Sequence, residues 1–280
     1  MLNRPYLLMT LVAGLVLSGC GTDSSMSTGI ERPSLVTRGT PTGAAHPEVV
    51  LILMEENGAP AYRCTGTLIS PTLVLTAGHC TGEVGEFSGM RIFTESDVDA
   101  GRGTTNNYPY AGPNAIEAKA NGWHTLPGYT SAAFYLNDVG VIELDGEVIL
   151  PASAYGRLPS PFELNLLKVR NSTRFTAVGY GLQRINPAKV QADLVRQSAT
   201  PHLLQINTGF TGPSSMLLSN NASTGGTCFG DSGGPNYLGT SNIIAGVTSF
   251  GINGTCGGTG GVFRMDRPDV IAFVQSYLAK

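Results

Sequence analysis

Short apolar runs rich in β-branched residues recur along the chain and are separated by turn signals. The runs that predict strands are residues 49–53, 66–69, 73–76, 139–144, 173–180, 243–250 and 261–265. Ser70-Pro71 and Asp145-Gly146 follow two of them, and dipeptides of these types are typical of turns. Many short strands without alternating helices predict an all-β fold, either a sandwich or a pair of barrels.

Only the C-terminal segment has a convincing helical pattern. Residues 269–278 carry apolar side chains at near-helical spacing, and Arg267-Pro268 is an acceptable helix start. The prolines between residues 150 and 166 break the pattern and separate two sets of strands. We therefore predict a boundary there, with one domain over residues 36–158 and a second over residues 159–280.

The N-terminal 19 residues are typical of a signal peptide, because a positive start precedes an apolar run too short to span a membrane. Leu17-Ser18-Gly19-Cys20 resembles the bacterial lipobox, and the resemblance implies lipid modification of Cys20. Residues 20–35 would then form a tether to the lipid or a propeptide. We expect export from a bacterial cell, with the protein anchored at the envelope or released.

Charge and cysteine content narrow the possible functions. The 17 basic and 20 acidic residues leave a net charge of -3 without long charged runs, which argues against a nucleic acid partner. With Cys20 set aside, Cys64, Cys80, Cys228 and Cys256 remain, an even number that predicts two disulfides in an exported chain. Three pairings are possible, and pairing 64 with 80 and 228 with 256 closes the shortest loops. Zinc is the competing use, but no C-x-x-C pair or suitably spaced histidine is present, so neither a metal nor a cofactor is expected.

The strongest chemical signal is Gly230-Asp231-Ser232-Gly233-Gly234-Pro235, a serine between glycines. A nucleophilic serine must reach a carbonyl carbon while backbone N–H groups face the carbonyl oxygen, and glycines leave room for that approach. We expect the N–H groups of Gly230 and Ser232 to bind this oxygen. A glycine-rich surface turn would explain part of the motif but not all of it.

A nucleophilic serine needs a base and an orienting carboxylate. His79 is the candidate base, because it follows a predicted strand and precedes Cys80. Asp138 is the candidate carboxylate, because it enters the apolar run at 139–144 and a buried charge requires a partner. His46 and His202 lie beside prolines and are interpreted as surface residues.

Residues 76–80 (TAGHC), 137–141 (NDVGV) and 230–235 (GDSGGP) resemble the three signature blocks of the trypsin/chymotrypsin-like serine proteases, in the same order. The resemblance covers about residues 36–280. It implies two packed six-stranded antiparallel β-barrels with a C-terminal α-helix and an active site between the barrels. It also implies a triad of His79, Asp138 and Ser232 that hydrolyses peptide bonds in protein or peptide substrates.

In this family a pocket beside the serine sets the substrate preference. The resemblance puts Gly226 at its floor, beside Thr227, and puts Ser249, Gly251 and Gly261 in its walls. These residues carry no charge, so we expect an open slot and cleavage after large apolar or aromatic residues.

Activation in this family pairs a newly freed Ile or Val amine with the aspartate before the serine. The resemblance therefore implies a pair between Val36 and Asp231, although Arg38 and the absence of an easy tryptic site after Arg32 depart from the usual pattern. We expect a monomeric serine endopeptidase. The alternatives are a catalytically inactive, protease-like binding module and an esterase, and against the esterase the order His, Asp, Ser differs from that of α/β-hydrolases.

Overall fold

The computed structural model describes residues 39–186 and 189–279, without the side chains of residues 186 and 189. The strands of its first half are β1 (Thr40–Pro41), β2 (Val49–Glu56), β3 (Ala59–Ser70), β4 (Leu73–Thr76), β5 (Gly89–Phe93), β6 (Ala115–Thr125) and β7 (Gly140–Leu144). The short helices α1 (Gly78–Thr81) and α2 (Val98–Gly101) lie among them, and a 3-10 turn covers Ser131–Leu136.

The second half contains the other nine strands of the described residues and their longest helix. Its strands are β8 (Phe175–Gly179), β9 (Arg184–Asn186), β10 (Lys189–Gln191), β11 (Gln197–Ala199), β12 (Leu203–Ile206), β13 (Ser215–Asn220), β14 (Pro235–Leu238), β15 (Ile244–Gly251) and β16 (Gly258–Arg264). A 3-10 turn covers Glu163–Leu166, and α3 (Pro268–Leu278) follows β16.

Strands β2 to β7 form a closed antiparallel barrel in the order β2-β3-β4-β7-β6-β5. Residues 49–54 of β2 and all of β4 are buried, as expected for uninterrupted apolar runs inside a closed barrel. Residues 139–144 were expected to form a strand, and β7 occupies five of those six positions. The predicted first barrel is confirmed.

The second sheet has eight strands in the order β1-β11-β8-β14-β15-β16-β13-β12 and forms a half-barrel. It exceeds the expected six strands, in part because β1, from the N-terminal segment of the described chain, pairs with β11. The all-β fold with a C-terminal helix is confirmed, and α3 begins one residue before the predicted 269–278 segment.

The helix α3 packs against β4 and β7 of the barrel. The boundary after residue 158 stays a prediction, and it falls between the last barrel strand and β8. No helix within residues 39–186 and 189–279 has the length and apolar character needed to cross a bilayer. Cys20 and Val36 lie outside the described residues.

Candidate active site

His79 is held in a fixed position at the end of β4. It lies in the one-turn helix α1, directly before Cys80, which forms a disulfide with Cys64 of β3. The second disulfide joins Cys228 to Cys256, so both bonds follow the pairing that closes the shortest loops. Cys64, Cys80 and His79 lie within ligand distance of one another, but the disulfide leaves neither sulfur as a thiolate for a metal.

Asp138 is fully buried and contacts both the backbone N–H and the ring of His79. Its Oδ1 accepts a hydrogen bond from the backbone N–H of His79 at 2.9 Å. Both carboxylate oxygens lie 3.0 Å from the ring Nδ1, while the His79 side chain remains 27% exposed. Because the buried carboxylate faces Nδ1, it favours the tautomer with a proton there and leaves Nε2 as a base.

Ser249 supplies a third hydrogen bond to this carboxylate. Its Oγ donates to Oδ2 of Asp138 at 2.5 Å, and the side chain is 5% exposed. Ser249 was expected as a pocket wall, and it does line the cleft described below. Its contact with Asp138 was not anticipated, because the two residues are 111 positions apart in the chain and no local motif joins them.

Ser232 lies in a tight turn, residues 230–234, that is hydrogen-bonded to the barrel. We call this segment the serine turn. The backbone N–H of Thr65 in β3 donates to the Ser232 carbonyl at 2.8 Å, and the Thr65 hydroxyl donates to the carbonyl of Gly230 at 2.8 Å. Gly233 has φ +77°, and a Cβ there would lie 2.0 Å from Oγ1 of Thr76. Glycine is therefore required for the turn to sit this close to β3 and β4.

The turn leaves two backbone donors without partners. Asp231 N–H donates to the Cys228 carbonyl at 3.0 Å and Gly233 N–H donates to the Thr248 carbonyl at 2.8 Å. Within the described part of the chain, neither the Gly230 nor the Ser232 N–H donates a hydrogen bond. These are the two donors that the sequence predicted for the carbonyl oxygen of a substrate.

His79 and Ser232 line the same cleft, which has a volume of about 730 Å³. No hydrogen bond joins their side chains among the described residues, and such bonds are often formed only when substrate is bound. Phe134 packs edge-on against the His79 ring, with ring centroids 5.8 Å apart. Sequence patterns did not indicate Phe134, because it lies in a 3-10 turn without a regular apolar period.

The predicted pocket residues divide into two groups. Thr227, Ser249 and Gly251 line the cleft, whereas Gly226 and Gly261 are not among its lining residues. A Cβ on Gly226 would lie 2.3 Å from Cγ of Asn220, and a Cβ on Gly261 would lie 2.3 Å from the Phe250 ring. Neighbouring side chains occupy the space beside these two glycines, and their place in the specificity pocket stays a prediction.

Asp231, the residue before Ser232 in the serine turn, is completely buried. Its carboxylate accepts hydrogen bonds from the backbone N–H groups of Gly181 and Cys228, both at 2.8 Å. Burial raises the pKa of this carboxyl to about 6, although those two bonds and the positive charge of Arg63 act in the opposite direction. Its expected partner, the amine of Val36, lies outside the described residues.

The other histidines lie away from the cleft that contains Ser232. The sequence around His124, which follows Trp123, indicates a loop-like stretch. The residue instead belongs to β6, stacks on Tyr277 and lies 2.9 Å from a carboxylate oxygen of Glu143. His46 contacts Glu48 at 3.1 Å. None of these residues lines the cleft that contains Ser232.

Comparison with known proteins gives a consistent result. The family model described as Trypsin matches residues 37–278. Brachyurin of Leptuca pugilator is 32% identical over 202 residues, covering 70% of this chain and 78% of that protein. Granzyme M of Homo sapiens is 27% identical over 210 residues, covering 73% of this chain and 74% of that protein.

Solved structures show the same fold at lower sequence identity. HL collagenase has a TM-score of 0.63 and 21% identity, covering 86% of this chain and 97% of that one. Human heparin binding protein has a TM-score of 0.61 and 20% identity, covering 87% and 96%. The match of the family model over nearly all described residues, together with the fold, shows that the chain belongs to the trypsin family of chymotrypsin-like serine proteases.

Proposed function

We propose that this chain is a serine endopeptidase whose triad is Ser232, His79 and Asp138. The observation that carries the proposal is the buried carboxylate of Asp138 bonded to His79, at a cleft that also contains Ser232. A carboxylate without solvent is stabilised by the imidazole N–H and in turn holds the ring in one orientation. That arrangement is suited to proton transfer rather than to a structural ion pair at a surface.

The mechanism follows the established scheme of the family. Ser232 Oγ attacks the peptide carbonyl carbon while Nε2 of His79 takes the hydroxyl proton, and the carbonyl oxygen becomes an oxyanion. The free N–H groups of Gly230 and Ser232 would stabilise that oxyanion. His79 then protonates the leaving amine as the C–N bond breaks. In the second half of the reaction water attacks the acyl carbon and gives a proton to His79, which returns it to Ser232 Oγ as the ester C–O bond breaks and the acid product leaves.

The substrate preference that we propose is for apolar or aromatic residues before the cleaved bond. Thr227, Phe250 and Gly251 line the cleft and carry no charge. A charged substrate side chain would lose solvation there without gaining an ion pair. Although Gly226 lies outside the lining, its neighbour Asn220 is also uncharged, so the proposal does not depend on an open floor.

Substitution of the nucleophile tests the proposal. Ser232→Ala should lower kcat/KM for peptides with Phe before the scissile bond by about 10⁴-fold or more, since the triad acts as a unit. The variant should also lose labelling by a fluorophosphonate, because no hydroxyl remains to attack phosphorus. Ser160→Ala is the control: Ser160 is exposed and lies outside the lining of the cleft, so its variant should keep both activities.

The same measurements separate the alternatives. A wild-type chain that folds, resists labelling and cleaves no peptide would indicate an inactive binding module. Turnover of esters without turnover of peptides would indicate an esterase. Strong preference for Arg, Lys or Glu in place of Phe would contradict the proposed apolar pocket but leave the triad intact.

A further inference from the structure

One wall of the cleft, beside His79, combines aromatic rings with a carboxylate. Glu86, Tyr129, Ser131 and Phe134 line the cleft on this side, and we call them the acidic wall. Among the described residues that line the cleft, Glu86 is the only acid and no lysine or arginine is present. The part of the lining that residues 227–256 contribute contains neither acidic nor basic groups.

The Glu86 carboxylate is held in place but remains exposed. Its Oε2 accepts a hydrogen bond from the backbone N–H of Glu83 at 2.8 Å, and the next residue, Phe87, is buried. None of the ion pairs among the described residues includes Glu86. A cationic ligand would therefore meet a positioned carboxylate without first displacing a competing side chain.

The electrostatic environment of Tyr129 agrees with this description. The pKa of its phenol is raised, first by burial and then by the negative charges of Asp138, Glu86 and Glu83. These charges make ionisation of the phenol more difficult, and for the same reason they attract a cation. The rings of Tyr129 and Phe134 line the same cleft, and a cation held beside them would gain cation–π attraction.

We propose that the acidic wall binds a basic side chain of the substrate, on a residue next to the one whose carbonyl is attacked. This inference rests on the proposed endopeptidase function. In an extended peptide, successive side chains point to opposite sides. When one side chain enters the uncharged part of the lining at residues 227–256, we infer that its neighbour faces the lining that the barrel contributes, which includes Glu86. The preferred substrate then pairs an apolar residue with a Lys or Arg.

A binding experiment tests this without requiring turnover. Fluorescent peptides carry Phe at the scissile position and Lys, norleucine or Glu at the position before or after it. Of the two Lys peptides, with Lys before or after Phe, the Ser232→Ala chain should bind one about 3- to 10-fold more tightly than the norleucine peptide of the same position. This is the range expected for an exposed ion pair with aromatic contact. The Glu peptide should bind more weakly than norleucine.

The Glu86→Gln substitution, added to Ser232→Ala, should remove the preference for Lys while leaving the norleucine affinity unchanged, because Gln retains an oxygen for the Glu83 N–H. Glu83→Gln is the control, since Glu83 lies outside the cleft lining, and its variant should keep most of the preference. Equal affinity for Lys and norleucine peptides at both positions would overturn the inference, as would a preference that persists in Glu86→Gln.

Turnover by the chain with Ser232 intact distinguishes the two proposals. Cleavage of the norleucine peptides without any advantage for Lys would overturn the acidic wall and leave the endopeptidase in place. Preferential Lys binding without cleavage of any peptide would overturn the endopeptidase and support the acidic wall as a binding site.

Discussion

Within the turn that contains Ser232, the negative charge of Asp231 is costly because the side chain is completely buried. It has no exposed surface, and its two close partners are backbone N–H groups rather than a cation. Two neutral donors compensate only in part for lost hydration, so its pKa lies at about 6, compared with 3.8 for a free carboxyl. This residue therefore makes stability depend on pH.

We predict how the free energy of unfolding depends on pH in a Ser232→Ala chain that has not been cut before Val36. The substitution prevents self-digestion by the proposed protease. Because the folded pKa is raised, the stabilising contribution is complete below about pH 4 and is lost as pH rises toward 6. The free energy of unfolding should fall by about 2 kcal/mol between pH 4 and pH 6, relative to Asp231→Asn. Urea titrations at pH 4, 5, 6 and 7 measure the difference.

The comparison with Asp231→Asn is needed because other groups titrate in the same range. Asn retains acceptor and donor groups at the site but cannot ionise, so subtracting its curve isolates Asp231. Parallel curves for the two chains would contradict a raised pKa of Asp231, because they would mean that its neighbours compensate in full for the burial of the carboxylate. An increase in relative stability from pH 4 to 6 would lead to the same conclusion.

At the level of elements, strands β3 and β4 position both reacting side chains. Helix α1, which carries His79, follows β4 directly and is tied to β3 by the Cys64–Cys80 disulfide. The serine turn binds β3 through Thr65. Two adjacent strands of the barrel therefore set the position of the base relative to the nucleophile.

We predict that replacing Cys64 and Cys80 by Ala lowers the free energy of unfolding by about 3 kcal/mol, since the bond closes a loop of similar length to those that contribute this amount. The sequence separation is 16 residues. In the proposed enzyme kcat should fall more than KM rises, because α1 would lose the disulfide that holds His79 in its position. Denaturant unfolding and peptide kinetics test the two effects.

Val270→Ala serves as the control for lost stability. Val270 is fully buried in α3 and does not line the cleft, so its truncation weakens packing without altering the site. If this variant loses kcat as strongly as the cysteine variant, general destabilisation explains the result. An unchanged kcat in the cysteine variant would contradict a positioning role for the disulfide.

In the whole molecule, polar contacts join the barrel to the second sheet. Arg196 is 2% exposed and lies next to the start of β11. Its guanidinium donates to the carbonyls of Val49 at 2.9 Å and Ala45 at 3.1 Å. Tyr180 donates to the Glu95 carbonyl at 2.7 Å. Because buried donors without partners are costly, these contacts favour one arrangement of the two sheets.

The last prediction concerns the N-terminus of the active protein. The buried carboxylate of Asp231 has no cation in ion-pair contact among the described residues and would be stabilised by one. We therefore propose that cutting between Leu35 and Val36 frees an amine for this site and raises activity. N-terminal sequencing of the active form should begin at Val36, and that cut would also separate the enzyme from any lipid on Cys20.

A matched variant distinguishes activation from incidental trimming. Val36→Gly leaves an amine but removes the apolar side chain that would help to bury it, so the cut variant should be less active than the cut wild type. Full activity in a chain that starts at residue 20 would contradict activation by this cut. Comparison of both proteins after mild proteolysis supplies the measurement.

The strands that the sequence predicted best are those with uninterrupted apolar runs. Residues 73–76 coincide with β4, and most of residues 243–250 lie in β15. Strands β6 and β13 were missed, because β6 mixes charged, polar and apolar residues and β13 is short with polar ends. Their pairing depends on neighbouring strands rather than on a local pattern.

The amino-acid sequence by itself determined the family, the all-β class and the candidate triad, because three compact motifs preserve the local chemistry around His79, Asp138 and Ser232. Only the tertiary structure decided what surrounds them. Ser249 reaches Asp138 across 111 positions of the chain, and the acidic wall combines Glu86 with residues 129–134 from a separate segment. Such contacts arise from strand pairing and from the packing of the serine turn against the barrel, and neither leaves a local signal in sequence.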